Sequence, residues 1–207
     1  MRIGIFGKGS VGSALATGWL RGGHSVVMGV REPAGAALKA GFAGEMSPEF
    51  ATAQAAAEQS EVLVFALPAQ ATVDVARELA SIPGIGDRGI IDASNSLFGR
   101  PEGFNSAYEG LRSVLAADVI KCFTTTGAEN MLHPAYADGA LDMFLAGGDP
   151  DAKATVVTLA RDLGFAECYD AGGPEAAPVL EQLAALWIQL AMKGGLGRNI
   201  GLRLVRR

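Results

Sequence analysis

Arg2-Ile3-Gly4-Ile5-Phe6-Gly7-Lys8-Gly9-Ser10-Val11-Gly12-Ser13-Ala14-Leu15-Ala16 decides how the rest of the chain is read. A short apolar run meets a glycine-rich turn, and the turn passes straight into a helical pattern. This is the strand–turn–helix setting that gives a G-x-G-x-x-G match its meaning. Gly7 allows the tight turn. Gly9 lets backbone approach a pyrophosphate with no side chain between them. Gly12 lets helix and strand pack closely. The free N–H groups and partial positive charge of the helix start suit phosphate. In a chain with 28 glycines the spacing alone would mean little, so its position carries the reading.

The next strands and helices follow the same plan. Ser10–Leu20 predicts the first helix, with Val11, Leu15 and Trp19 near one face, and His24–Gly29 the second strand. His24 opens that strand, at the end of the sheet away from the glycine turn, so it reads as structural. The end of the second strand selects the nucleotide. A carboxylate there binds ribose hydroxyls, whereas an arginine accommodates a 2′-phosphate. Here Gly29-Val30-Arg31-Glu32-Pro33 supplies a guanidinium able to grip phosphate as a two-pronged donor. Glu32 could serve NAD, but Arg31 favours NADP(H).

A short helix is predicted over Ala34–Ala40 and a short strand over Gly41–Met46. Ser47-Pro48-Glu49 reads as a helix start, continued by the Ala-rich stretch to Gln59. Glu61–Leu67 is a continuous apolar run suited to a parallel strand buried on both faces. Pro68 stops it, and Gln70–Ala80 is helical. Gly89–Ala93 is a strand ending in Ser94-Asn95-Ser96, Ser106–Ala116 a helix, and Asp118–Phe123 a strand leading into Thr124-Thr125-Thr126. These polar strand ends are predicted to form a floor beside the nucleotide. Asp92 reads as a structural hydrogen-bonding residue.

Beyond this point the pattern shifts. Asp142–Gly147 and Glu167–Asp170 read as strands around a helix capped by Asp149-Pro150-Asp151, either extending the sheet or forming a small lobe. Pro174–Met192 is apolar nearly all round, so one face needs cover from a dimer partner or the cofactor cleft. A short basic amphipathic tail follows, and Arg203, Arg206 and Arg207 read as a solvated helix end. A net charge of −5 with no clustered basic face argues against nucleic acid. Two cysteines without metal-like spacing point to a reducing, cytoplasmic setting. The opening core strand leaves no room for a signal peptide, and no apolar run is long enough to span a bilayer.

Several stretches resemble one family, the NADP oxidoreductases dependent on coenzyme F420, a deazaflavin. They are Gly7–Gly12, Gly29-Val30-Arg31, Ala66-Leu67-Pro68, Asp92-Ala93-Ser94-Asn95 and Val119–Met131, of which Lys121–Met131 is the specific part. Leu186-Trp187-Ile188 and Gly195–Asn199 look like the bacterial members. The resemblance implies an α/β fold of Rossmann type: a doubly wound, mostly parallel sheet with a small C-terminal helical part. Residues 1–140 would bind NADP, and residues 141–207 would form a small α/β extension with helices. It also implies a homodimer and hydride transfer between NADP(H) and the deazaflavin as co-substrate.

The implied cofactor contacts are Gly7, Lys8, Gly9, Ser10, Val11, Gly12, Val30, Arg31, Ala66, Leu67, Pro68, Asn95, Thr124, Thr126 and Ala128. Val30 stands where the family often has serine, and Thr124 where it typically has asparagine. No catalytic side chain and no metal site is expected, because hydride transfer between two rings needs positioning rather than acid or base. His133 is a candidate substrate contact.

Three alternatives stay open. One is an NADPH-dependent ferric or flavin reductase. Another is a non-catalytic NADP sensor. The third is a 3-hydroxyacid type of dehydrogenase, for which the chain is short and Lys193 would be the base.

Overall fold

The computed structural model describes residues 1–34 and 46–207. Most of the helix predicted over Ala34–Ala40, and most of the strand over Gly41–Met46, lie outside them. The sheet is built from β1 (Arg2–Phe6), β2 (Ser25–Gly29), β3 (Glu49–Ala51), β4 (Val62–Phe65), β5 (Gly89–Asp92) and β6 (Val119–Lys121). Its order among the described residues is β3-β2-β1-β4-β5-β6, with every neighbour parallel. β1 and β4 are adjacent, with Ile3 opposite Val62 and Phe6 opposite Phe65. The strand order reverses between them, so a crevice opens above their carboxyl ends.

Both faces of the sheet are covered, which explains the near-continuous apolar strands. On one face, Ile3, Ile5, Val64, Ile91 and Ile120 pack under α1 (Ser10–Arg21) and under the long helix at Pro150–Asp162. Trp19 is fully buried there and donates its indole N–H to the Leu159 carbonyl at 3.0 Å. On the other face, Phe6, Leu63, Phe65, Ile90 and Val119 meet α2 (Ala53–Glu58), α3 (Ala69–Leu79) and α4 (Ala107–Leu115).

The expected helix start at Ser47–Pro48 is not one. Glu49–Ala51 is the edge strand, paired with Val27–Gly29, and Thr52 caps α2 through its hydroxyl. The strand wins because its backbone pairs with β2, and that pairing continues as Val30 N–H donates to the Ala51 carbonyl.

After β6 come α5 (Ala128–Leu132), the hairpin strands β7 (Ala135–Tyr136) and β8 (Gly139–Ala140), β9 (Met143–Leu145), α6 (Pro150–Asp162) and β10 (Cys168–Asp170). β9 and β10 pair in parallel, and Ala146 exchanges two backbone hydrogen bonds with Lys121. The C-terminal unit is therefore stitched antiparallel onto the β6 edge. Pro174–Ala176 forms a 3-10 turn, α7 spans Ala177–Ile188, and a π turn covers Gln189–Lys193.

No helix follows, so the arginines expected at a helix end have other partners. Arg203 donates to the Asp138 carbonyl, and the Arg206 guanidinium lies 5.1 Å from the Tyr169 ring centre. The tail is held along Asp142, whose N–H donates to the Leu202 carbonyl and whose carboxylate accepts from Leu204 N–H. His24 is structural, with Nε2 2.9 Å from Asp162 Oδ2.

Candidate functional site

The glycine turn sits above the crevice at the carboxyl end of β1. Gly7 has φ of +114°, which only glycine adopts freely, and a side chain on it would overlap the Ala66 carbonyl at the end of β4. A side chain on Gly12 would overlap the Gly7 carbonyl. Gly9 differs: nothing lies within 4 Å of where its Cβ would be. Two glycines close the turn and the third opens it toward the crevice. Lys8, Gly9 and Ser10 are exposed around that opening, Val11 is half-buried, and Ser13 Oγ donates to the Lys8 carbonyl.

Arg31 stands exposed just past the end of β2. Val30 packs against the core, and its N–H is already committed to Ala51, so its backbone donor is not free for a ligand. Ala66 and Leu67 are half-buried and Pro68 is exposed at the end of β4, where α3 begins.

The ends of β5 and β6 form the other half of the crevice rim. Asn95 Nδ2 donates to the Thr124 carbonyl at 3.3 Å. Asn95 Oδ1 and Thr124 Oγ1 are buried without a partner. Orphaned buried polar atoms cost about 1–3 kcal/mol each. Phe123, between β6 and this rim, has φ of +58°, a left-handed conformation that is rare for an aromatic residue and a mark of local strain.

The polar floor expected from three threonines is smaller than predicted. Thr125 is buried, with its hydroxyl directed at Met143 Sδ, 3.7 Å away. Thr126 Oγ1 accepts from Asn130 Nδ2 at 2.8 Å. Beyond β6 the chain bends inward, so Phe123, Thr124 and Thr125 are buried in succession, and Asn130 of the short helix α5 engages Thr126. Ala128 is buried at the start of α5, and His133 is exposed at its end.

Sequence reasoning missed Lys121. It is fully buried, with Nζ 2.8 Å from Asp92 Oδ2, 2.7 Å from the Ser94 carbonyl and 2.7 Å from Glu181 Oε1. An apolar strand ending in lysine was the available signal, but its partners lie far away in sequence. Glu181, on α7, also lines a cavity of about 1040 Å³ together with Ser96, Leu97, Arg100, Tyr108 and Pro178. Tyr108 donates its hydroxyl to the Val119 carbonyl, and burial pushes its pKa up to about 12, against a smaller opposing pull from Arg112.

The tail completes the rim. Trp187 Nε1 donates to the Ile200 carbonyl at 2.7 Å, and Asn130 Nδ2 donates to the same oxygen at 2.6 Å. Arg198 pairs with Glu129, whose carboxyl this hydrogen bond holds below its ordinary pKa. Among the described residues no group of three His, Cys, Asp or Glu side chains could hold a metal ion. No helix among them is long and apolar enough to cross a membrane.

Sheet order, switch-point crevice and open glycine turn define a dinucleotide-binding α/β fold of Rossmann type. Residues 2–96 match the family model described as NADP oxidoreductase, coenzyme F420-dependent. Over its full length the chain is similar to a provisionally described F420-dependent NADP-reductase from Arthrobacter sp. FB24. The identity is 27%, each chain is covered completely, and the TM-score is 0.82. It is also similar to a hypothetical protein from Sinorhizobium meliloti, at 22% identity and TM-score 0.72, covering 100% of this chain and 96% of that one. A reductive aminase from Aspergillus terreus, in complex with NADPH and ethyl levulinate, matches at 24% identity and TM-score 0.68 over 94% of this chain and 62% of its own. The last two likenesses show the fold alone.

Proposed function

We propose that this protein transfers hydride between NADP(H) and a flat-ring acceptor, coenzyme F420 or a flavin-like molecule. The observation that carries the reading is the glycine turn: closed at Gly7 and Gly12, open at Gly9, and placed at the switch point beside Arg31. NADPH held there would supply the hydride. Gly9 and the first N–H groups of α1 would receive its pyrophosphate, and Arg31 its 2′-phosphate. Ala66, Leu67 and Pro68 would line the passage to the second half of the crevice. Asn95 and Thr124 have polar atoms without partners and would face the nicotinamide end.

The fit extends to an acceptor. The cavity walled by Ser96 and Leu97 adjoins Asn95 in sequence and is roomy enough for a ring system. These residues bind, orient and exclude water, which is what hydride transfer between two rings requires. Residues 1–140 form the nucleotide-binding part in this reading, and 141–207 the extension. We place the protein in a reducing, cytoplasmic setting, which suits the free thiols of Cys122 and Cys168. We assign it as a homodimer through α7, whose Val179 and Leu186 are exposed together with the following Leu190 and Met192.

The test is the loss of NADPH absorbance on mixing with F420, FMN, a ferric chelate or no acceptor. Oxidation with F420 or FMN supports the reading. Oxidation by the ferric chelate alone, or tight NADPH binding with no acceptor reduced, overturns it.

A further inference from the structure

Lys121 is a buried cation that hydride transfer itself does not call for. We propose that it is a positioning residue for the nicotinamide half of the crevice, acting through Ser94 and Asn95 and tied to α7 by Glu181. The inference rests on the nucleotide reading above.

The ammonium has three donors and three acceptors at hydrogen-bond distance, so it is fully used. One acceptor is the Ser94 carbonyl. A second, Asp92, also holds Ser94 from the other side: its Oδ1 accepts from Ser94 N–H at 2.9 Å and from Ser94 Oγ at 2.6 Å. Ser94 is thereby fixed at its amide, its hydroxyl and its carbonyl, so Asn95 extends from an immobilised point. The Thr124 carbonyl orients the Asn95 amide group, because a carbonyl requires the NH2 side to face it. That arrangement leaves Asn95 Oδ1 and Thr124 Oγ1 without partners.

Topology says which half of the ligand this concerns. A doubly wound sheet divides a dinucleotide between β1–β3 and β4–β6. The glycine turn and Arg31 belong to the first half, Asn95 and Thr124 to the second. The third partner, Glu181, has a side chain only 12% exposed and joins this rim to the wall of the cavity.

Stability alone is a poor reason for such a site. Buried ion pairs are often matched by apolar residues of similar volume, while removing one partner is costly. What the triad supplies is a single geometry for the Ser94–Asn95 turn.

Two ligands separate positioning from general support. NADPH spans both halves; 2′,5′-ADP carries the adenosine and its 2′-phosphate but no nicotinamide. Calorimetric titration of Glu181→Ala, Glu181→Gln and Lys121→Met should show NADPH weakened about tenfold in Glu181→Ala and Lys121→Met, on the scale of a lost charged hydrogen bond. In both, 2′,5′-ADP should stay within about twofold of wild type on that scale. Glu181→Gln, which keeps an acceptor for Lys121, should recover most of the loss. If Lys121→Met does not fold, the Glu181 variants decide. Equal weakening of both ligands, or no change in either, overturns the inference while leaving the nucleotide reading intact. Wild-type protein that binds neither ligand overturns both.

Discussion

A methyl group on Gly12 would overlap the carbonyl oxygen of Gly7, whereas one on Gly9, three residues earlier, would meet nothing. The two positions share a motif and differ in what they can tolerate. Gly12→Ala should destabilise the fold by about 2 kcal/mol or more, as overpacking against backbone does. Gly9→Ala should leave the melting temperature nearly unchanged and weaken NADPH. Thermal melts and titrations of both variants check this; a stable Gly12→Ala or an unaffected NADPH affinity in Gly9→Ala would contradict it.

Arg31 should discriminate between the two nicotinamide dinucleotides. Arg31→Ala is expected to weaken NADPH by about 1–3 kcal/mol, roughly 5- to 150-fold, and to leave NADH alone. Equal losses for both would remove Arg31 from the phosphate site.

Tyr108 predicts an alkaline limit. Burial raises its pKa to about 12, so the folded protein keeps the phenol proton over a range where the unfolded chain, titrating near 10, has lost it. The folded state then binds more protons than the unfolded one, and stability falls as pH rises from about 10 to about 12. Urea midpoints across that range should drop for wild type and stay flatter for Tyr108→Phe.

The two thiols should react unequally. Cys122 is fully buried, and burial, reinforced by its hydrogen bond with Cys168, pushes its pKa well above the ordinary thiol value. A thiolate is the reactive species, so an aromatic disulfide reagent should label at most the half-buried Cys168 in native protein and both thiols after unfolding. Rapid native labelling of Cys122, mapped by mass spectrometry, would be inconsistent with this packing.

Leu186, half exposed on α7, tests the assembly. Leu186→Glu should shift sedimentation from dimer to monomer; a wild-type protein that already sediments as a monomer refutes the proposed dimer.

What could be read in advance was local. The turn at Gly7–Gly12, the helix after it and the apolar strand at Val62–Phe65 are set by neighbours in sequence, so periodicity and glycine spacing reveal them. Glu49–Ala51 was misread because Ser47–Pro48 carries the local signature of a helix start, while its strand partner, Val27–Gly29, lies some twenty residues back. Lys121 was silent for the same reason. Its carboxylates, Asp92 and Glu181, stand 29 and 60 residues away. The tail looked helical until Asp142 claimed Leu202 and Leu204. Among the threonines, only the fold could show that Thr125 turns inward.

The Ile200 carbonyl accepts from both Trp187 and Asn130. During synthesis the six strands of the main sheet emerge long before that oxygen does. Domains fold as units as they leave the ribosome, so the sheet can assemble while the rim beside α5 is still incomplete. A chain halted before residue 200 would hold a folded nucleotide cradle with an unsatisfied indole and amide at its edge. Order of translation thus makes the rim mature after the sheet it borders.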